Sequence, residues 1–89
     1  MKVTYLEVTF RHGRALAAYL YLPRESGERS VRSQRVEPGL VLDFGGSGRP
    51  IGIEITAPRQ VSLATMNRIL EDLGLAPLTQ ADLAPLLAA

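Results

Sequence analysis

The sequence predicts an α+β fold, namely an antiparallel β-meander of four or five strands packed on a C-terminal helix with a short helical tail. Within residues 2–56 apolar residues alternate with other residues, which is the period of strands with one buried face. Glycine-containing turns separate these segments, and after residue 62 the apolar spacing becomes helical. We therefore expect a single domain over residues 1–89, with the meander at 2–56, the helix at 62–73 and the tail at 75–89.

Composition excludes several classes of protein. The chain has 89 residues and no cysteine, so disulfides and thiolate metal sites are excluded. Since no long apolar run or secretory signal is visible, we expect a cytoplasmic protein without membrane association. The net charge of +1 is too small to indicate nucleic acid as a partner. A chain this short has a narrow stability margin, and such chains often gain from partners.

The first predicted hairpin joins residues 2–10 to residues 15–22 through a His12-Gly13 turn, in which glycine supplies the positive φ. With a two-residue turn, one face carries Leu6, Val8, Phe10, Ala17, Tyr19 and Tyr21, and the other carries Val3, Tyr5, Leu16, Leu20 and Leu22. Both faces are then largely apolar, and so short a chain has little material to cover both. We therefore expect a homodimer or a small protein partner.

Residues 23–30 (PRESGERS) predict a polar loop, and residues 30–36 (SVRSQRV) predict a weak strand. Because charged residues blunt the open edges of sheets, we expect this strand to lie near an edge.

Residues 38–56 (PGLVLDFGGSGRPIGIEIT) predict the central hairpin. With Gly46-Ser47 at the centre of its turn, Leu42 faces Ile51, and Leu40 faces Ile53 two residues further on. Gly52 then leaves a gap on the outer face, where a ring or another backbone can approach closely.

The helix has signals at both ends. Ser62 is placed to cap its first turn, and Gly74 with Leu75 forms the expected C-terminal signal. Between them an apolar stripe at helical spacing consists of Leu63, Met66, Ile69, Leu70 and Leu73.

The tail predicts a second, short helix that begins at Thr79, where Thr79 and Asp82 resemble a capping box. Pro85 is expected to disrupt this helix after about one turn. Four leucines need a surface on this or a second subunit, so the tail is expected to dock there: Leu78, Leu83, Leu86 and Leu87.

Asp43 and Glu54 are the carboxylates nearest the central turn, and both point to the outer face. In the expected register Asp43 faces Pro50, which separates the two carboxylates by about 13 Å along the strand. A glycosidase pair needs about 5–9.5 Å. We therefore expect structural roles, with Asp43 bonded to nearby turn amides, and assign no catalytic, cofactor-binding or metal-binding residue. The alternative is a small-molecule-binding protein or enzyme that uses the outer face around Asp43, Gly52 and Glu54.

Other candidate chemistry has simpler interpretations. The glycines around Ser47 are followed by a strand pattern, whereas a dinucleotide site or nucleophile elbow requires a helix. His12 is the only histidine, and we expect an exposed turn residue. Glutamates are interleaved with most of the arginines, so a solvated surface is favoured over weak nucleic-acid binding: Arg11, Arg14, Arg24, Arg29, Arg32, Arg35 and Arg49. Tyr5, Tyr19 and Tyr21 are expected in the core or an interface.

The order of these elements resembles the family called domain of unknown function 2283, which consists of small bacterial β-meander proteins. The resemblance covers most of residues 15–75 and is sharpest at VLDFGGSGRPIGIEI, whereas the opening LEVTFRHGRALAAYLYL departs from the family pattern. It implies a β-meander with a C-terminal helix and carries over no catalytic residue. Some relatives resemble partners of small toxin-like proteins, so the resemblance suggests an antitoxin-type role. The predicted function is a non-catalytic, homodimeric protein-interaction module.

Overall fold

A computed structural model describes residues 4–87. It confirms the α+β architecture, in which an antiparallel sheet is followed in the chain by the helices. The strands are β1 (Tyr5–Arg11), β2 (Arg14–Tyr21), β3 (Ser30–Glu37), β4 (Leu40–Gly45) and β5 (Pro50–Ile55). A 3-10 turn at Pro58–Gln60 is followed by α1 (Leu63–Asp72) and α2 (Gln80–Leu87). The predicted strand start at Lys2, the face assigned to Val3 and the side chain of Leu87 lie outside the described part.

The strands are ordered β1-β2-β5-β4-β3, and every neighbouring pair is antiparallel. Strands β3, β4 and β5 follow one another as a meander, and β2 joins the free side of β5. The polar link after β2 therefore carries the chain to the far side of the sheet. This confirms that residues 30–36 belong to an edge strand.

The first hairpin has the predicted turn but not the predicted faces. His12 and Gly13 both have positive φ, 53° and 77°. Thr9 pairs with Ala17 whereas Phe10 pairs with Ala15, so Leu16 is an extra, bulged residue. Beyond this bulge the register moves by one residue, and the expectation of two apolar faces was wrong. One face carries Leu6, Val8, Ala18, Leu20 and Leu22, and the other carries Tyr5, Glu7, Thr9, Ala17, Tyr19 and Tyr21.

The central hairpin also differs in register from the prediction. Leu42 pairs with Ile53 rather than Ile51, and Leu40 pairs with Ile55 rather than Ile53. One residue of the difference comes from the turn, which has three residues and ends at Gly48 with φ 87°. The other comes from Ile51, which is bulged between the Asp43 and Phe44 pairings. Beyond the bulge the two displacements add to two residues, so Ile53, Glu54 and Ile55 keep their predicted faces but have different partners.

The core lies between the helices and one face of the sheet, which we call the inner face. Leu20, Ile53 and Ile55 from the sheet are at most 1% exposed, and Met66 from α1 is completely buried. The tail leucines Leu83 and Leu86 belong to the same cluster. The tail thus docks on its own chain, and burial of its apolar side chains stabilises α2 against the sheet.

The ends of α1 are those that the sequence predicts. The Ser62 hydroxyl accepts a hydrogen bond from the Thr65 amide at 3.1 Å. At the other end Gly74 has φ 74°, and the Leu75 amide donates to the Leu70 carbonyl at 2.9 Å. This arrangement satisfies carbonyl groups that would otherwise be left without a partner at the helix end.

The start of α2 is the predicted capping box. The Thr79 amide donates to the Asp82 carboxylate at 2.8 Å, and the Asp82 amide donates to the Thr79 hydroxyl at 3.2 Å. The expected disruption at Pro85 was wrong, because α2 continues through it to Leu87. Proline removes one backbone donor, and here the helix ends two residues later, so the loss is confined to one hydrogen bond.

Candidate functional site

The candidate site is the side of the sheet opposite the helices, which we call the outer face. The strand pairings place its side chains in two rows that cross all five strands. The first row is Tyr5, Tyr21, Gly52, Asp43 and Ser33, and the second is Glu7, Tyr19, Glu54, Val41 and Arg35. The buried side chains of both helices belong to the inner-face cluster, so the described chain leaves the outer face uncovered.

Asp43 lies at the centre of a hydrogen-bonded network on this face, and it is only 5% exposed. Its carboxylate accepts hydrogen bonds from the Tyr19 hydroxyl at 2.9 Å and from the Ser33 hydroxyl at 2.6 Å. The expectation that Asp43 bonds to turn amides was therefore wrong, since its partners come from β2 and β3. Charge-assisted bonds of this kind satisfy a carboxylate that would be costly to bury alone.

Gly52 makes this network possible. A Cβ atom at position 52 would overlap the ring of Tyr19, which crosses the glycine to reach Asp43. The predicted gap on the outer face is thus confirmed, and the group that fills it is Tyr19. Burial and the hydrogen bond to Asp43 raise the pKa of Tyr19 to about 12, so this hydroxyl remains a donor at physiological pH.

Asp43 and Glu54 are neighbours, and the predicted separation of about 13 Å was wrong. The shifted register places Asp43 opposite Gly52, so Glu54 is its diagonal neighbour on β5. Burial, followed by a hydrogen bond to Asp43, raises the pKa of Glu54 above its ordinary value. The uncharged form of the Glu54 side chain is therefore favoured more than in an isolated glutamate.

The three tyrosines form one aromatic cluster. The rings of Tyr5 and Tyr21 are stacked with centroids 4.4 Å apart, and Tyr19 meets Tyr21 edge-on at 4.7 Å. The Tyr21 hydroxyl donates to Glu7 at 3.2 Å, and the Arg24 guanidinium lies 5.1 Å from the Tyr21 ring centroid. Tyr5 remains 40% exposed. Aromatic residues with polar tips are typical of surfaces that contact another molecule.

A shallow pocket of about 220 Å³ opens beside this cluster. Glu7 and Glu54 stand on either side of it, and Ala17 and Tyr19 contribute to its lining. Neither glutamate forms an ion pair with a described residue. The pocket is open to solvent, so it can accept a side chain or a small cation but does not enclose a substrate.

The glycine-rich turn does not form a phosphate-binding site, because the Glu28 carboxylate already occupies hydrogen-bond donors of the turn. Glu28 accepts a hydrogen bond from the Ser47 hydroxyl at 2.9 Å, and Arg49 lies 3.9 Å from the same carboxylate. The bond from Ser47 is the largest cause that lowers the pKa of Glu28. A Cβ atom at Gly45 would collide with the Glu28 side chain. Gly45 and Gly48 therefore have structural explanations, and the role of Glu28 was not predicted.

Metal ligands do not come together in the described part of the chain. Within residues 4–87 no group of three histidine, aspartate or glutamate side chains is arranged to hold a metal ion. His12 is exposed in its turn, as the sequence predicts. Ser33 and Tyr19 were missed as partners of Asp43. The one available signal was Gly52, which indicated that a ring would approach but not which one.

Comparisons with known proteins agree with the resemblance seen in the sequence. A family model described as "Protein of unknown function (DUF2283)" matches residues 17–57, which contain Tyr19, Asp43, Gly52 and Glu54. No curated protein and no solved structure matches the chain. None of the helices in residues 4–87 has the length and apolar character needed to span a membrane. Over residues 17–57, from β2 to the residues just after β5, the chain is similar to the DUF2283 family.

Proposed function

We propose that this protein is a non-catalytic interaction module that forms a homodimer through the outer face of its sheet. The observation that carries this proposal is the tyrosine cluster on a sheet face that the described chain leaves uncovered. Tyrosine is enriched among the residues that dominate binding energy, because its ring buries a large area at small conformational cost.

The charges on the outer face favour a second copy as the occupant. Glu7 on β1 and Arg35 on β3 occupy opposite ends of the second row, and β5 is the middle strand. Two sheets packed face to face about a two-fold axis along β5 bring β1 of one subunit over β3 of the other. Glu7 then meets Arg35 of the partner subunit, and the pairing occurs twice.

Glu54 lies near this axis, where two like charges would oppose association. Burial and the hydrogen bond to Asp43 favour the uncharged form of Glu54, which reduces that repulsion. The dimer is therefore expected to tighten as the pH falls toward the ordinary pKa of a glutamate.

Charge reversal tests this arrangement by sedimentation velocity. Glu7→Arg and Arg35→Glu should each weaken the dimer by about tenfold or more, since each places like charges opposite each other. The double variant should recover most of the loss. Arg59→Glu, which changes an exposed arginine outside the sheet, is the matched control. A monomeric wild-type protein at high concentration, or single variants that dimerise like the control, would contradict the proposal.

A second candidate is the binding of a small cationic molecule in the pocket between Glu7 and Glu54. The carboxyl pair of Asp43 and Glu54 beside that pocket favours it. A thermal-shift screen with organic amines should then give a stabilising compound whose effect disappears in Glu54→Ala and persists in Glu71→Ala. If no amine stabilises the protein, this candidate is removed.

The antitoxin-type role remains a prediction about the kind of partner. A basic side chain of another small protein would fit the same pocket, where two glutamates have no cationic partner among the described residues. Such a partner would compete with the homodimer for the outer face, so mixing the two should convert dimers into heterodimers.

A further inference from the structure

The edge strand β3 offers a second surface at the rim of the sheet, where backbone groups rather than the outer-face side chains provide the contacts. β3 has eight residues and pairs only with β4, so its other side has no neighbouring strand in the described chain. Its first six residues are exposed. Along such an edge the outward backbone N–H and C=O groups of alternate residues can pair with an added strand.

Arginines accompany this edge without carboxylate partners. Arg29 immediately precedes β3, while Arg32 and Arg35 belong to it, and none of the three forms an ion pair within residues 4–87. Arg32 instead lies over the ring of Phe44 at 3.9 Å from its centroid. Elsewhere Arg49 and Arg68 do have glutamate partners. Three arginines without an ion pair within residues 4–87 therefore lie on or beside the open edge.

The register of β3 limits where another strand can add. Irregularities lie between Ser30 and Arg32 and between Arg35 and Glu37, whereas Arg32–Arg35 pairs regularly with β4. Bulges and charges are common devices against unwanted pairing at edges. In an antiparallel pair of two β3 edges centred on this stretch, the arginines of both copies would lie along one seam. Because like charges brought together repel each other, the edge disfavours a copy of itself.

We propose that the open edge of β3 binds an acidic, extended segment of a partner protein, which adds to the sheet as a further strand. The regular stretch Arg32–Arg35 pairs with the backbone of the incoming segment, and the arginines select its carboxylates. Val31, which is 69% exposed, offers one apolar contact at the end of this stretch. The backbone ladder distinguishes this partner from a nucleic acid, which would satisfy the arginines but not the peptide groups.

The test is a titration of the full chain, followed by its amide NMR signals, with capped peptides of about six residues. The probe alternates glutamate and valine, and two matched peptides carry lysine for glutamate or N-methylated backbone amides. The acidic probe should shift the signals of residues 30–37 and slow their hydrogen exchange. The lysine peptide and the N-methylated peptide should each bind at least about tenfold more weakly.

Protein variants complete the experiment. Arg32→Glu/Arg35→Glu should weaken the acidic probe by about tenfold or more, whereas Arg59→Glu, an exposed arginine outside the sheet, should not. Circular dichroism checks that each variant is folded, and Arg32→Glu alone, which leaves the outer-face Arg35 unchanged, serves if the double variant is not. The proposal is overturned by the absence of saturation at about 1 mM probe or by equal binding of the N-methylated peptide. It is also overturned if a single-stranded oligonucleotide binds this edge more tightly than the peptide.

Discussion

Replacing Gly52 with alanine should destabilise the folded protein by about 2–4 kcal/mol. The new methyl group would occupy the space of the Tyr19 ring, which must move and thereby lose its hydrogen bond to Asp43. Forcing an extra methyl group into a packed site costs about 1–3 kcal/mol. Loss of a hydrogen bond to a charged group costs about 1.5–3 kcal/mol. The better strand propensity of alanine offsets about 0.5–1 kcal/mol of this.

Thermal and urea unfolding followed by circular dichroism measure the effect. For a domain of this size each kcal/mol corresponds to about 4–8 °C in Tm, so a decrease of about 10–25 °C is expected. Gly46→Ala is the matched control, because a Cβ atom there meets nothing within 4 Å. In a Tyr19→Ala background Gly52→Ala should cost less than about 0.5 kcal/mol. Equal effects of Gly52→Ala and Gly46→Ala would refute the close approach of Tyr19.

Three further predictions concern protonation and the tail. The folded state raises the pKa of Glu54. The contribution of Glu54 to the free energy of unfolding is therefore fully present at acidic pH, and it is lost as the pH rises through the folded-state pKa. Urea unfolding should therefore show that Glu54→Gln is more stable than the wild type at pH 7, with the gain vanishing at acidic pH. An absorbance titration should show that one tyrosine ionises near pH 12 and that this ionisation step is missing in Tyr19→Phe. Three tyrosines with the same ionisation behaviour would contradict this. Leu83→Ala should lower the free energy of unfolding by about 2–5 kcal/mol, because Leu83 is completely buried. Leu16→Ala, at a side chain 55% exposed, should change it by less than about 0.5 kcal/mol, and equal losses would argue against docking of the tail.

Features set by neighbouring residues could be predicted from the sequence. The cap at Ser62, the C-terminal signal at Gly74 and the reciprocal bonds of Thr79 and Asp82 all occur as expected. Each depends on a few consecutive residues whose hydrogen bonds are local. Pro85 is the exception, because the effect of a proline depends on how far the helix continues beyond it.

Features set by register could not be predicted in the same way. The bulges at Leu16 and Ile51 each add one residue to a strand without changing its composition. The first bulge changed the composition of both faces of the first hairpin. The second, together with the longer turn, brought Asp43 and Glu54 together. Strand order was equally hidden, since the polar link after β2 does not indicate which strand β2 will join.

The central claim is that the outer face is an interface, and tyrosine fluorescence tests it most directly. The chain has three tyrosines and no tryptophan, and all three tyrosines lie on this face. Quenching by the neutral reagent acrylamide is measured as the protein concentration is raised through the range of dimer formation. If the outer face is the interface, the quenching constant should fall severalfold as dimers form. A quenching constant that stays the same while sedimentation shows dimers would place the interface elsewhere and contradict the claim.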